Sequence, residues 1–535
     1  MKKLKFIALF ALGLSLFSCE DAYNITQDGE FGEAETFQSV GDMQSWLNEV
    51  YDKATISGEI GYSSLLTDET SIGSQNAGQD LETYKFIINN QDGNADAIWA
   101  NDYALINYAN RLLRGAARVT PTADQQADYN NIIAQAKLWR AWGHFQLLAA
   151  FSENIKDDSS LGVILMDRVP TLDEQLPRNT TGEVFALIES DLAAAAPNLI
   201  EPTGAEAYKY LSSNFINAFR ARMYAYRGNY ALAEQYADAA IAAGPALTAA
   251  GTYTNNTTFY NPTTTTSPYR KMWADGAQGE IIFALARPVG KEAIAGLWYF
   301  NQTKISGGPF HDMGRKLMNL LADQDQDGSI VNVLNNPVGT QTNPGDHDVR
   351  SRAFLDPTSL IASNPDAVPA GTWKSADVPC IDKYPGKSGA DLTNDLKVFR
   401  TSEMYLIKAE ARVAAGDLTT AATILKQIRD ARTFSTASQP ALPQPLPVYA
   451  DATAAWKDIL LERRKELCFE GHRFYDLRRL GALAGGETID RYYRDCDDFQ
   501  VPICSLSLTD YRMKYLPIPL AEFLGNGNIQ QNEGF

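Results

Sequence analysis

The apolar residues of this chain recur mostly at the spacing of an α-helix, three, four or seven positions apart. This pattern covers residues 37–51, 99–119 and 129–151, where the apolar side chains fall on one helix face. Residues 62–92 interrupt it, because they are polar and glycine-rich, and their composition predicts a loop. The N-terminal part of the chain is therefore predicted to be largely helical.

Two later stretches have the small-residue pattern of a tetratricopeptide helix pair. Gly228 lies between the two predicted helices of residues 214–244, and Gly416 has the equivalent position in residues 402–432. Small residues let paired helices approach closely, and glycine tolerates the left-handed conformation that ends a helix. The distance between the units is not a whole number of the roughly 34-residue period. We therefore expect a large insertion between them.

The region between the two units has little helical periodicity. Residues 252–267 are rich in Thr, Asn and Pro, and residues 289–401 alternate clusters of Gly, Pro, Asn and Asp. The short apolar run at residues 280–286 is compatible with a strand or a helix. The predicted fold is therefore mainly α: a tetratricopeptide-like helix-pair scaffold (an α–α superhelix) with an inserted loop-rich subdomain containing a few short strands.

Aromatic and amide side chains in the predicted loops are candidate ligand contacts. Trp298 and Tyr299 are followed directly by Phe300, so the three rings do not all face one helix core, and Trp373 lies in a loop of Gly, Lys and Ser. Asn76 lies in the polar segment SIGSQNAGQD. Flat rings stack on sugar rings, and amides bond sugar hydroxyls. The alternative is that these rings close the subdomain's own core.

Residues 455–481 combine a helical apolar pattern with many charges. Arg463 falls on the same apolar face as Trp456, and Glu466 and Glu470 follow within reach on a helix surface. A charge on a buried face is costly unless it is paired. We therefore predict two helical segments joined near Gly471, with Arg463 and these glutamates in a buried network. The alternative is that one carboxylate is catalytic.

The same stretch resembles a known family. Residues 460–479 read L-x-E-R-R-x-E-L-x-F-E-G-x-R-x-x-D-L-R-R, which resembles the C-terminal signature of the SusD/RagB nutrient-binding outer-membrane lipoproteins. Residues 394–411, with N-D-x-x-x-x-R-x-x-E-x-x-L-x-x-A-E-A, and residues 516–534, with I-P-x-x-E and Q-N-x-G, are similar to further segments of that family. The structural signature residues are Arg463, Glu466, Glu470, Arg473 and Asp476.

The chain begins with a targeting pattern. Three lysines precede an apolar run of residues 6–17 that is too short to span a membrane, and Ser18 stands directly before Cys19. This ending resembles a bacterial lipobox, and the family resemblance implies cleavage before Cys19 and lipidation of it. The alternative is an ordinary signal peptide. The expected regions are residues 1–18 as signal peptide, 19–250 and 401–535 as helical scaffold, and 251–400 as the ligand-facing insertion.

Charge and motifs narrow the function classes. The net charge of −18 argues against nucleic-acid binding, which needs a positive surface. No H-E-x-x-H, G-x-S-x-G, P-loop or G-x-G-x-x-G motif occurs. Asp323, Asp325 and Asp327 open like a calcium loop, but Leu334 stands where an EF-hand has its glutamate, so they remain weak calcium candidates. No other cofactor or metal is expected. Cys496 and Cys504 are a candidate disulfide.

The resemblance implies a lipid-anchored protein on the outer membrane that binds glycans and does not catalyse a reaction. It also implies a SusC-like TonB-dependent transporter as the partner that receives the nutrient. Three alternatives remain at this stage. They are a lipid-anchored glycoside hydrolase, since two carboxylates placed in space are enough for that chemistry, a peptide-binding member of the same uptake system, and a protein-binding scaffold.

Overall fold

The computed structural model describes residues 36–261, 263–301, 304–322, 347–387, 389–498 and 501–535. About 49% of the chain is helical and the strands are few and short, which confirms the predicted fold class. The α-helices are α1 (Val40–Lys53), α2 (Ser57–Leu66), α3 (Leu81–Tyr84), α4 (Gly93–Ala116), α5 (Gln126–Phe151), α6 (Thr181–Ala195), α7 (Ser213–Tyr226), α8 (Tyr230–Ala243), α9 (Asn256–Tyr260), α10 (Pro268–Trp273), α11 (Arg315–Ala322), α12 (Arg350–Ala353), α13 (Trp373–Ala376), α14 (Thr401–Ala414), α15 (Leu418–Arg432), α16 (Ala452–Leu467), α17 (Arg473–Leu480), α18 (Arg494–Asp497) and α19 (Leu520–Gly525). The strands are β1 (Thr70–Ile72), β2 (Thr252–Tyr253), β3 (Ile281–Leu285), β4 (His311–Met313), β5 (Leu396–Arg400) and β6 (Ser435–Thr436).

The two tetratricopeptide-like units are the helix pairs α7–α8 and α14–α15, and both use the same turn. Gly228 has a φ of +74° and Gly416 a φ of +80°, so each ends its helix in the left-handed region, as predicted for Gly228. The next residue then caps the second helix. Asn229 accepts a hydrogen bond from the backbone N–H of Leu232, and Asp417 accepts one from the backbone N–H of Thr420. Local sequence thus fixes both helix pairs.

The two units pack on each other although they are distant in the sequence. Helix α8 packs against α14, while α4, α5 and α6 pack in series on the N-terminal side. The chain therefore leaves the scaffold after α8 and returns through β5 directly into α14. This arrangement accounts for the irregular spacing of the repeats.

Short strands connect the insertion to the scaffold. Strand β1 pairs antiparallel with β4, β2 pairs parallel with β6, and β3 pairs antiparallel with β5. The apolar run at residues 280–286 therefore contains a strand, β3. The prediction of a loop for residues 62–92 is wrong in part, because the end of α2, all of β1 and α3 lie there. These elements have only 10, three and four residues, too few to show a period.

An aromatic cluster joins the helices to the β3–β5 pair. The ring of Phe215 in α7 lies 4.9 Å from Phe283 in β3 and 5.5 Å from Phe399 in β5. Trp142 in α5 lies 5.5 Å from Phe399 and 5.3 Å from Phe219. All five rings are buried, so the core lies between α5, α7 and the β3–β5 pair, which we call the neck of the insertion.

The signature helices form the predicted buried ion network. Glu466 accepts hydrogen bonds from Arg400 at 2.7 Å, Arg432 at 2.9 Å and Arg350 at 3.1 Å. Glu470 pairs with Arg400 and Lys383, each at 2.7 Å. Burial alone raises the pKa of Glu466, but Arg432 and Arg400 outweigh it and hold that pKa well below its usual range. The network ties α16 to α15, β5 and the insertion.

The expected partners of Arg463 are wrong. Its guanidinium contacts Asp476 at 2.7 Å and Glu410 at 3.1 Å, not the glutamates of its own helix. Glu466 forms ion pairs with arginines from other elements, and Arg463 points instead toward α14 and α17. Arg473 likewise pairs with Asp68, at 2.8 Å, beside β1.

Candidate functional site

The β1–β4 pair ends in two loops that are fastened to each other. The backbone N–H of Gly73 donates to the carbonyl of Phe310 at 3.0 Å, and that of Gln75 donates to Pro309, also at 3.0 Å. The side-chain amide of Asn76 donates to the carbonyls of Phe310 and Gln79, each at 3.0 Å. Asn76 was predicted to contact ligand, and here it positions the loop that carries Gln75 on the surface.

Phe300 is an exposed aromatic ring beside this loop. Its side chain is 58% exposed, and its ring lies 4.9 Å from that of Phe310, which is buried. Gly308, with a φ of +71°, approaches so closely that a Cβ there would lie 2.9 Å from the Phe300 ring and 3.7 Å from Gln75. The ring is therefore held between its neighbours while one side faces solvent.

A second pair of aromatic rings, Tyr492 and Tyr493, has one exposed member. Tyr493 is 50% exposed, and its hydroxyl donates to the carboxylate of Asp366. The ring of Tyr492 lies 4.8 Å from that of Tyr493 and 5.7 Å from that of Trp373. This stack runs from the buried Trp373 outward to solvent. We call Gln75, Asn76, Phe300, Asp366, Tyr492 and Tyr493 the aromatic face.

A small satellite core connects both halves of the aromatic face. Ile72 of β1, Tyr84 of α3, Cys496 and Val501 pack together, and Cys496 forms a disulfide with Cys504. The Tyr84 hydroxyl also donates to the carbonyl of Asp495 at 3.3 Å. The candidate disulfide of the sequence is thus present, and it closes the loop beside Tyr492 and Tyr493.

Buried acids support this face from below. Asp495 accepts hydrogen bonds from the Trp373 indole at 2.9 Å and the Arg315 backbone at 3.0 Å, while burial raises its pKa to about 7. Burial, with Asp495 and Asp377 nearby, also raises the pKa of Asp312 well above its usual value. Asp495 is buried, so its effect on the face is to position Trp373 and the backbone of Arg315.

Three of the predicted ligand contacts are core residues instead. Trp298 is 1% exposed, and its ring lies 6.0 Å from Tyr384 and 5.5 Å from Phe469. Tyr299 and Trp373 are also buried, and the Tyr299 hydroxyl donates to the Ile381 carbonyl at 3.0 Å. The expectation that these rings are exposed is wrong: Trp298 packs against Phe469 between the signature helices, and Trp373 packs against Tyr492. The alternative placed them in a core of the subdomain's own, whereas Trp298 and Tyr299 belong to the main core that the insertion shares with the scaffold.

Sequence reasoning noted Phe300 without selecting it and missed Tyr492, Tyr493 and Asp366. An adjacent Tyr–Tyr pair shortly before Cys496 was the available signal, but adjacency does not decide exposure, since Trp298 and Tyr299 are adjacent and both buried. The predicted lipidation site Cys19 and the calcium candidates Asp323, Asp325 and Asp327 lie outside the described residues. In the described parts of the chain, no helix combines the length and hydropathy that crossing a membrane requires.

Two family models match this chain. One, described as the SusD family, matches residues 374–535, and the other, described as starch-binding associating with outer membrane, matches residues 25–225. The chain belongs to the SusD/RagB family. The signature residues therefore lie within the part of the chain that matches the SusD family model, and they also have a structural role. The family is associated with the outer membrane and with carbohydrate binding.

Relatives of this SusD-family chain match over almost its whole length. The SusD-like protein P2 of Formosa agariphila is 24% identical over 510 residues, covering 90% of this chain and 91% of that protein. A SusD superfamily structure from Bacteroides thetaiotaomicron has a TM-score of 0.69 at 23% identity, covering 92% of this chain and 99% of that one. A laminarin-binding SusD-like protein has a TM-score of 0.63 at 19% identity, covering 93% and 100%. The structural matches show a shared fold.

Proposed function

We propose that this protein is a non-catalytic glycan-binding lipoprotein of the outer membrane. It captures oligosaccharides on the aromatic face and delivers them to a SusC-like TonB-dependent transporter. The observation that carries the proposal is the packing of Phe300. Its ring is exposed, is held by Phe310 and Gly308, and lies beside the exposed Gln75. A fixed ring stacks on a sugar ring with little loss of conformational entropy.

Two further observations support a glycan as the ligand. The family model that matches residues 25–225 is described as starch-binding, and one structural neighbour is described as laminarin-binding. The aromatic face also mixes rings with amide and carboxylate groups, the combination that sugar hydroxyls and sugar faces require. Such binding on an exposed surface is expected to be weak for one sugar and stronger for a polymer that reaches several rings.

Affinity gels with a panel of neutral glycans test the proposal. The detergent-solubilised full-length protein should be retarded by at least one of them, and no reducing ends should be released. Phe300→Ala and Tyr493→Ala should each weaken the retardation several-fold while the melting temperature stays unchanged, since both rings are about half exposed.

A matched control is Tyr210→Ala, because Tyr210 is 54% exposed but follows the 3₁₀ turn Ala207–Lys209 on the scaffold. It should leave the retardation unchanged. If Tyr210→Ala lost as much retardation as Phe300→Ala and Tyr493→Ala, the binding site would not be the aromatic face. Release of reducing ends that disappears on mutating one acid would favour the hydrolase, and retardation by peptides alone would favour the peptide-binding alternative.

The lipid anchor and the transporter partner are tested in separate experiments. We infer acylation at Cys19, so Cys19→Ala should abolish incorporation of a labelled fatty acid and move the protein out of the membrane fraction. Antibody labelling of intact cells should detect the wild-type protein, which is the result expected for an outward-facing location. Purification through a tag on this chain should recover a large TonB-dependent barrel. Recovery of only periplasmic proteins would contradict this part of the proposal.

A further inference from the structure

A basic pocket opens on the helical scaffold and shares no lining residue with the aromatic face. Its volume is about 280 Å³, and it lies between the loop that follows α5, the end of α7 and helix α17. Lys156, Arg478 and Lys514 line it together with Tyr226 and Tyr475. We use the term basic pocket for these five residues.

The cations of the basic pocket have no carboxylate partner among the described residues. Lys156 and Lys514 are exposed and form no ion pair there, and the one hydrogen bond of Arg478 goes to the backbone carbonyl of Ala149. Glu153 is the single acid in the lining and is also exposed. In a chain with a net charge of −18, three cations facing one carboxylate form a local exception.

The neighbouring residue Arg479, in contrast, has carboxylate partners. Arg479 also lines the pocket, but Glu410 and Asp476 neutralise it, the latter at 2.9 Å. It therefore leaves Arg478 as the guanidinium that is available to a ligand. Burial lowers the pKa of Arg478 to about 10. This direction is expected where a positive charge lacks a counter-ion.

Two tyrosine hydroxyls add hydrogen-bond donors. Tyr226 is 6% exposed and Tyr475 is 8% exposed, and their ring centroids lie 6.0 Å apart. Neither hydroxyl has a hydrogen-bond partner among the described residues, and both line the pocket. A ligand bound there can therefore accept a hydrogen bond from each hydroxyl without displacing a protein partner.

We propose that the basic pocket binds an acidic sugar unit, a uronate or a sulfated monosaccharide. The anionic group accepts from Arg478 and lies between the two lysines, and the tyrosine hydroxyls donate to it or to the ring oxygens. The volume is large enough for one sugar ring. The choice of a sugar as the carrier of the charge rests on the proposed glycan-binding function; the requirement for an anion does not.

Ligand-observed NMR titrations of the full-length protein test this with sodium glucuronate, glucose and sodium sulfate at low ionic strength. Glucuronate should bind at least about tenfold more tightly than glucose, because charge-assisted hydrogen bonds exceed neutral ones. Its affinity should fall as salt is added. Lys156→Glu/Lys514→Glu should weaken it at least about tenfold, and Tyr475→Phe several-fold.

Lys316→Glu/Lys457→Glu is the matched control, since both lysines lie on the surface outside the pocket and the net charge changes equally. It should leave glucuronate binding unchanged. Equal affinity for glucose, sulfate binding as tight as glucuronate, or no effect of Lys156→Glu/Lys514→Glu would overturn the proposal. Phe300→Ala should reduce retardation by neutral glycans and leave glucuronate binding intact. Loss of glucuronate binding in Phe300→Ala, without loss in the pocket variant, would reject the pocket and leave the aromatic face standing.

Discussion

Glu466 is the residue at which several distant parts of the chain meet. The arginines around it come from the insertion, the end of β5 and the end of α15, and the exposure of all four side chains is close to zero. A buried ion network contributes little net stability compared with well-packed apolar residues, but removing one member leaves charges without compensation. The network therefore acts mainly by specifying which elements pack together.

Glu466→Gln should destabilise the protein by about 3–5 kcal/mol, because the buried arginines would lose their shared carboxylate. Chemical denaturation measures the free energy of unfolding. Lys457→Gln is the control: it removes an exposed ion pair with Glu487 and should change stability by less than about 1 kcal/mol. A similar small effect for Glu466→Gln would show that Arg350, Arg400 and Arg432 find other acceptors.

Glu59 is a second buried acid, and it makes stability depend on pH. It accepts a hydrogen bond from the Gln146 amide at 2.8 Å, and burial raises its pKa from about 4.5 to about 7. The folded pKa is the higher one, so stability from this group is complete below about pH 4.5 and is lost as pH rises to about 7.

Glu59→Gln should therefore melt like the wild type at pH 5 and higher than it at pH 8. Glutamine keeps an oxygen for Gln146 and carries no charge, so the gain at pH 8 should be about 1–3 kcal/mol. Melting curves across this pH range measure it. A difference between the two proteins that stays constant with pH would mean that Glu59 does not titrate in the folded state.

Sequence spacing predicted that the charges of residues 455–481 are buried but misassigned the partners of Arg463. Spacing reports which side chains share a face of one helix, and this is why burial was predictable. It carries no information on which other element faces them. Asp476 and Glu410 reach Arg463 only because α17 folds back after Gly471 and α14 packs alongside α16.

At the scale of elements, the helix pairs are specified locally and the strands are not. The Gly228–Asn229 and Gly416–Asp417 turns each combine a helix end with a cap for the next helix, so neighbouring residues suffice to predict them. Strand β1 has three residues, and its partner β4 is more than 200 residues away in the sequence. No local pattern encodes such a pairing.

Gly416→Ala should destabilise the protein by about 1–2 kcal/mol. A Cβ at Gly416 would meet no atom within 4 Å, so the cost arises from the φ of +80° alone. Gly93→Ala is the matched control, since Gly93 also has open space but begins helix α4 without a positive φ. It should be neutral or stabilising by up to about 1 kcal/mol. Equal effects of the two substitutions would contradict the role of the left-handed turn.

At the scale of the whole molecule, the aromatic face and the helical scaffold occupy different parts of the fold. The main core lies between the helices and the β3–β5 neck, whereas the satellite core of Ile72, Tyr84, Cys496 and Val501 is separate and lies next to the loops that carry the aromatic face. The family signature predicted the scaffold because it lies within it. The exposed rings were harder to predict, since the exposure of Phe300 beside the buried Trp298 depends on packing of the folded insertion.

Removing the Cys496–Cys504 disulfide should loosen the aromatic face without unfolding the scaffold. A cross-link stabilises chiefly by limiting the unfolded forms of the segment it closes, and this satellite core is small. Hydrogen exchange of Cys496→Ser/Cys504→Ser should therefore rise in β1 and α18 and stay unchanged in α7 and α8. Retardation by neutral glycans should weaken in parallel, because Tyr492 and Tyr493 lie directly before the loop that the disulfide closes. A uniform rise in exchange across both helix pairs would show instead that the face and the scaffold unfold as one unit.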